Sequence, residues 1–456
     1  MSLFRTKPIN ADAYCDTGLK RCLNAVDLTL LGIGAIIGAG IFVLTGVAAA
    51  TKAGPAIVLS YVVAGFACAF TALAYAELAA AIGGCGSAYG YAYAGLGELI
   101  AWIIGWDLIL EYGLATAAVA IGWSGYVNNA LTAIGLPLPP ELLKTPVEGG
   151  IMNLPAAAIV MTLAVLLAIG VHQSARFNAV MVLVKLTAIT VFVAVAAFHV
   201  QPAHWQPFMP FGWEGMMAGA ALIFFAYIGF DAVSTAAEEA LKPQRDLPIG
   251  IIASLAVCTV IYIVVAGLLT GIAPYATLNV ASPVADSMLR LGHRWAAALI
   301  AAGAIAGLTT VMLVLYYGLT RVFLAMSRDG LLPPVFSAVN KKTQTPVRVI
   351  IASGILIASV AGFTPIGKVA ELVNIGTLAA FVLVCGGVIL LRRTKPDLKR
   401  PFKTPASPLV PLLGIAFCLY LMAALPAETW WRFVVWMATG IVIYFGYSRA
   451  HSTLNH

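Results

Sequence analysis

Three ionisable side chains lie deep inside runs of apolar residues, where charge is costly: Glu111, Lys185 and Asp231. Apolar runs of about 20 residues are long enough to cross a membrane, and an ionisable residue inside one marks a path for protons, ions or a charged solute. The chemistry that these residues predict is therefore the binding and movement of charge across a bilayer.

Lys185 is the most informative of the three. It lies about eight residues, or about 12 Å, into the apolar run that begins near Phe177, and so near the bilayer midplane. A lysine at that depth costs about 2.5 kcal/mol or more to insert and is too far from the end of its run to reach the interface. We expect either a proton carrier or a permanently charged strut bonded to backbone carbonyls.

The sequence leaves more than one role for each of the two carboxylates. Glu111 occupies the middle of its run, with Asp107 one helical turn before it on the same face. Both are functional candidates, as carboxylates inside a membrane usually are, although Asp107 can instead be a cap or an interfacial partner. Asp231 can either gate a passage or cap the start of a half-helix.

Glycines interrupt two of the apolar runs, the first and the sixth, and the sixth also carries Asp231. The first apolar run, Val26 to Ala50, has Gly34, Gly38 and Gly40 near its middle, and each interior glycine costs a helix about 1 kcal/mol relative to alanine. The sixth run repeats the anomaly at Gly229. Two broken helices predict unpaired backbone groups that hold a small charged solute at the midplane. Close helix packing through the GxxxG spacing of Gly34 and Gly38 is the alternative.

The composition excludes an ordinary soluble domain. The 456 residues are 61% hydrophobic and 10% charged, with a mean hydropathy of +0.96. Twelve apolar runs predict an all-α polytopic membrane protein with twelve transmembrane helices. The net charge of +7 does not indicate nucleic-acid binding, because most basic residues fall between runs on one side of the membrane. This bias predicts cytoplasmic N- and C-termini, and the opening residues do not predict a cleaved signal peptide.

The runs also predict an internal division of the chain, because spans one and six enter the membrane from opposite sides. We expect a cytoplasmic N-terminal tail, a first inverted repeat, a second inverted repeat, a peripheral helix pair and a cytoplasmic C-terminal tail. These cover residues 1–25, 26–199, 213–391, 408–447 and 448–456.

Four segments resemble the amino acid–polyamine–organocation superfamily and, within it, the bacterial branch of the cationic amino acid transporter family. They are Gly32 to Phe42, Gly229-Phe230-Asp231, Glu238 to Gly250 and Met326 to Pro333. The resemblance implies a five-plus-five inverted repeat with discontinuous helices one and six, in the bacterial plasma membrane (the inner membrane). It also implies sodium-independent import of amino acids by alternating access. Exchange, and a small single-span accessory protein, are left open.

The resemblance implies a substrate site between the two breaks. The amide groups near Gly38, Ala39 and Gly40 would face the substrate carboxylate at a helix N-terminus. The substrate ammonium would meet backbone carbonyls near Ile36, Ala226 and Ile228. The remaining site residues that the resemblance implies are Ile41, Phe225 and Phe230, of which Phe225 either closes over the substrate or only packs.

The resemblance also suggests how coupling and selectivity arise. In sodium-coupled relatives a cation between spans one and eight holds the broken helix, and Lys185 would take its place and carry the coupled proton. Met312 either forms the pocket wall, which favours a small neutral, alanine-like amino acid, or is core packing. A transporter or exchanger of arginine, lysine or ornithine is the alternative. Glu111 resembles the acidic residue that the family has near its binding site, which implies that it is protonated or pairs with the substrate.

The partners predicted are thus an amino acid, protons and the lipid bilayer, with no nucleic acid and no cofactor. A channel would show charged rings or a repeated filter loop, and neither is present in the sequence. The six histidines have no metal-ligand spacing, so neither a metal site nor an enzyme is predicted.

Overall fold

The computed structural model describes residues 5–7, 23–82, 88–133, 135–170, 175–236, 240–340, 342–343 and 345–455. Most of the predicted N-terminal tail lies outside these residues. The described part of the chain is built from helices, which confirms the all-α prediction. Eight helices are long and apolar enough to cross a membrane, and four shorter apolar helices accompany them among the described residues.

Twelve helices form the framework, and short helical turns join them. They are α1 (Ala25–Ile36), α2 (Ile57–Ile82), α3 (Glu98–Ala133), α4 (Leu154–Ile169), α5 (Ala175–Ala196), α6 (Gly212–Ile223), α7 (Pro243–Ile272), α8 (Arg294–Arg328), α9 (Val347–Phe363), α10 (Ile366–Thr394), α11 (Leu409–Ala423) and α12 (Ala427–Ile443). The number of membrane crossings and the inverted repeat stay predictions.

Helix α1 begins with a capping box and ends abruptly. The Asn24 side chain accepts from the Asp27 amide at 3.1 Å, and the Asp27 carboxylate accepts from the Asn24 amide at 3.0 Å. The helix stops at Ile36 because Ile37 is extended, with ψ 98°. Helical structure resumes at Gly40 and continues to Ala53 in short α- and π-helical turns. The first apolar run is thus two half-helices.

The sixth run is broken in the same way. Helix α6 ends at Ile223, a 3₁₀ turn covers Phe224–Tyr227, and Ile228 is extended, with ψ 135°. Gly229 has φ +114°, a conformation open to glycine and strained for other residues. A Cβ at this position would also lie 3.0 Å from the backbone of Ala35, so the two interrupted helices pack directly against each other.

Candidate functional site

The two breaks surround a small apolar cavity. Helices α3 and α8 close its other sides, and the cavity volume in this conformation is about 10 Å³, about the room that one water molecule needs. The lining residues are Ala35, Ile36, Gly38, Ala39, Gly40, Ala115, Val119, Phe225, Ile228, Val311 and Leu315. No ionisable side chain is among them. The lining would therefore contact an apolar side chain of a ligand, and the charged groups of the same ligand would meet the backbone at the breaks.

Most of the sequence-predicted binding residues lie at this cavity, and four lie beside it. Ile36, Gly38, Ala39, Gly40, Phe225 and Ile228 line it. Ile41, Ala226, Phe230 and Met312 are all buried but are not part of the lining. The wall contributed by α8 is formed by Val311 and Leu315 rather than by Met312.

The amide groups that follow the first break are at the start of a helix. The amide of Phe42 donates to the Gly38 carbonyl at 3.3 Å, so the amides before Phe42 precede the first intrahelical hydrogen bonds. Gly40 packs so tightly on the Ala226 backbone that a Cβ there would collide with it. This close approach brings the helix start beside the second break.

The carbonyl end of the site depends on Tyr262, which the sequence analysis missed. Its hydroxyl lies 2.8 Å from the carbonyl oxygens of both Ile36 and Ala226, one from each broken helix. A hydroxyl has one proton and donates to one carbonyl at a time, which leaves acceptor capacity for a ligand ammonium. A tyrosine inside the seventh apolar run was the available signal.

A buried amide and a cluster of tyrosine rings also hold the broken helices in place. The Asn374 amide donates to the carbonyls of Ala221 and Leu222 at 2.7 and 2.9 Å, which satisfies the end of α6. The Tyr262 ring lies between those of Tyr61 and Tyr227, with centroids 5.3 and 5.4 Å away. These contacts keep the exposed backbone at the breaks in one conformation.

Lys185 reaches the first break from α5. Its ammonium donates to the carbonyls of Gly34 at 2.6 Å and Ile37 at 3.0 Å, and its side chain is fully buried. A Cβ at Gly307 would lie 2.8 Å from the Lys185 stem, so the side chain fills the gap between α1 and α8. It therefore binds the carbonyls that α1 leaves open where it ends.

The carboxyl groups form a separate buried cluster. Asp107 and Glu111 of α3 interact electrostatically with each other, and Glu111 also with Asp231. The Tyr112 hydroxyl donates to Asp231 at 3.2 Å, and Asp231 makes no capping hydrogen bond although it precedes the Ala232–Thr235 turn. Among the described residues no ion pair is found for these carboxyls, and each has an oxygen without a hydrogen-bond partner. Burying several carboxylates together without a cation is costly.

Comparison with known proteins agrees with this architecture. The sequence model of a family described as "Amino acid permease" matches residues 23–445. The "Methylthioribose transporter" of Bacillus subtilis is 49% identical over 100% of this chain and 99% of its own length. The "Branched-chain amino acid permease BcaP" of the same organism is 51% identical with the same coverage.

A eukaryotic group is more distant. Human "Cationic amino acid transporter 4" is 37% identical over 86% of this chain and 63% of its own length. The family match covers nearly the whole chain, and its members are transporters in membranes rather than enzymes. The chain belongs to the amino acid permease family of the amino acid–polyamine–organocation superfamily.

Proposed function

We propose that this protein is a proton-coupled, sodium-independent importer of neutral aliphatic amino acids. The observation that carries the proposal is the apolar cavity between two broken helices. An amino acid zwitterion needs a donor group for its carboxylate and acceptors for its ammonium, and a broken helix pair supplies both without a charged side chain.

The main chain of the substrate has a defined orientation in this proposal. Its carboxylate faces the amides around Gly38, Ala39 and Gly40, where the helix dipole favours a negative charge. Its ammonium faces the carbonyls of Ile36 and Ala226, beside the Tyr262 hydroxyl. Every amino acid has this carboxylate and this ammonium, so these contacts give affinity for amino acids in general.

The side-chain end of the cavity sets the choice of substrate. Val119, Val311 and Leu315 are apolar, and the lining contains no carboxylate to offset a cationic side chain. This favours alanine and larger aliphatic residues over arginine, lysine or ornithine. The branched-chain permease at 51% identity supports a neutral aliphatic substrate.

Methylthioribose is a second candidate, favoured by the transporter of that name at 49% identity. It carries neither an ammonium nor a carboxylate, so the backbone groups at both breaks would meet its neutral hydroxyl groups instead of charges. A hydrogen bond to a charged group contributes about 1.5–3 kcal/mol, and a neutral one about 0.5–1.5 kcal/mol. The geometry therefore favours the amino acid.

Lys185 accounts for sodium independence. Its ammonium binds the Gly34 and Ile37 carbonyls in the gap between α1 and α8, and a sodium ion there would compete for the same oxygens. We assign the coupled proton to Lys185 or to the carboxyl cluster of Asp107, Glu111 and Asp231. Proton transfer in either place changes the charge beside the breaks.

The proposal includes a membrane topology that permits alternating access. Twelve crossings in a five-plus-five inverted repeat, with both termini in the cytoplasm, would let one repeat rock against the other around the cavity. The fold would place the protein in the bacterial inner membrane, importing amino acids by alternating access.

A substrate panel tests the choice of solute. Purified protein in proteoliposomes is offered labelled alanine, leucine, arginine and methylthioribose at equal concentrations. Uptake of alanine and leucine without arginine is expected. Uptake of arginine alone would overturn the neutral assignment, and uptake of methylthioribose alone would overturn the amino acid.

Met312 is tested in the same assay. We propose that Met312, which follows the lining residue Val311, limits how large a substrate side chain the cavity can hold. Met312→Ser is therefore expected to broaden uptake toward larger side chains. An unchanged selectivity profile would remove Met312 from the site.

A further inference from the structure

Two histidines face each other at the ends of the helices that carry the site. His199 follows the end of α5, and His293 directly precedes α8. Their Nε2 atoms are 3.2 Å apart, and their ring centroids are 4.9 Å apart with planes at 76°. Both side chains are half-buried, so an ion from solution can reach them.

The first ring is held in the form that presents a lone pair. The Nδ1 of His199 lies 2.9 Å from the Val195 carbonyl, which can only accept a hydrogen bond. Nδ1 must therefore carry the proton, and Nε2 of the neutral ring offers its lone pair toward His293. A histidine that donates its second N–H to a backbone carbonyl is the usual arrangement of a metal ligand.

The main chain of His293 is held by hydrogen bonds on both sides. The His293 amide donates to the Met288 carbonyl at 3.0 Å, and its carbonyl accepts from the Ala297 amide at 3.1 Å. The position of His293 is thus fixed by the chain on both sides. Its ring can present Nε2 once the proton resides on Nδ1.

The spacing of the two nitrogens fits a shared ion. Metal–nitrogen bonds to histidine are about 2.0–2.1 Å, so nitrogens 3.2 Å apart subtend an angle of about 100° at a common ion. That angle lies near the tetrahedral value. Two imidazoles suit Zn²⁺, Cu²⁺ and Ni²⁺ rather than Mg²⁺ or Ca²⁺, which prefer oxygen.

We propose that His199 and His293 form a binding site for a divalent transition-metal ion such as Zn²⁺. The described residues provide no third histidine, cysteine or carboxylate in a ligand cluster here, so water completes the coordination. The ion ties the end of α5 to the start of α8. These helices carry Lys185 and the cavity wall of Val311 and Leu315. A bound metal ion therefore constrains two helices that form the transport site.

The test is a zinc titration of protein that carries no polyhistidine tag. Isothermal titration calorimetry in detergent is expected to give one Zn²⁺ per chain for the native protein. His199→Gln and His293→Gln are each expected to abolish this binding. His204→Gln is the matched control, because His204 Nδ1 lies 3.0 Å from the Gly271 carbonyl but is not part of the pair.

A second measurement keeps the result independent of folding. Zn²⁺ raises the unfolding temperature of a protein that binds it in the native state. This rise is expected for the native and His204→Gln proteins and is lost in both site variants, whose unfolding temperatures without zinc report that they fold. If His199→Gln does not fold, His293→Gln decides. Zinc binding retained in a folded site variant, or absent from the native protein, would show that the rings only hydrogen-bond to each other.

Discussion

Replacing Lys185 by methionine removes the ammonium but keeps an unbranched side chain of similar length against Gly307. The variant loses the hydrogen bonds to Gly34 and Ile37, at 2.6 and 3.0 Å, and leaves both carbonyls buried without a partner. A buried group left unpaired costs about 1–3 kcal/mol, so the two together cost about 2–6 kcal/mol. This penalty falls on the conformation in which Lys185 binds the first break.

The expected effect on transport follows from that penalty. A factor of ten corresponds to about 1.4 kcal/mol, so even about 3 kcal/mol lowers the population of the binding conformation by about 100-fold. The assay is the initial rate of labelled alanine uptake into proteoliposomes with matched protein content. Lys144→Met is the control, because Lys144 is exposed in a loop outside the helices α1 to α12.

The same variant tests the coupling role. If Lys185 carries the proton, Lys185→Met is expected to lose concentrative uptake and its dependence on pH. A Lys185→Met protein that concentrates alanine at the native rate with the native pH dependence would refute both the sodium-substitute and the proton-carrier roles.

Three further substitutions test the site. Gly40→Ala puts a Cβ into the Ala226 backbone, and uptake is expected to be abolished while the protein remains in the membrane fraction. Tyr262→Phe removes a hydroxyl that bridges the two breaks, and the loss of one neutral hydrogen bond, about 1 kcal/mol, should raise KM by about fivefold. If the carboxyl cluster carries the proton, Glu111→Gln is expected to leave exchange of internal and external alanine intact but to abolish proton-driven accumulation.

Each of these has a matched control in the same chain. Gly386→Ala should be silent, because a Cβ there meets nothing within 4 Å. Tyr275→Phe and Glu428→Gln change a tyrosine and a carboxylate away from the cavity. Native uptake by Gly40→Ala, an unchanged KM for Tyr262→Phe, or proton-driven accumulation by Glu111→Gln would each contradict the role assigned to that residue.

Much of this site could be predicted from the sequence, because the two breaks and Lys185 are recognisable from neighbouring residues alone. Glycines around Gly38 and at Gly229 stand out within apolar runs, and a break at either place needs no knowledge of distant residues. Lys185 was equally visible, because a midplane lysine must find partners near it. The carbonyls it uses, those of Gly34 and Ile37, belong to the predicted broken helix.

What the sequence could not supply depends on contacts between distant helices. Tyr262 and Asn374 bond carbonyls of other spans, and nothing in their own runs indicates which carbonyls those are. The choice of Val311 and Leu315 over Met312 reflects the register of α8. One residue turns a helix by about 100°, so a predicted face is easily shifted by one position.

The central claim is that a neutral amino acid is driven through the cavity between the two breaks by protons alone. The most direct measurement is labelled alanine uptake into sodium-free proteoliposomes with an inward proton gradient. We expect accumulation above the external concentration that collapses when a protonophore is added. Alanine uptake that requires sodium, or no alanine uptake under a proton gradient by folded protein, would contradict the claim.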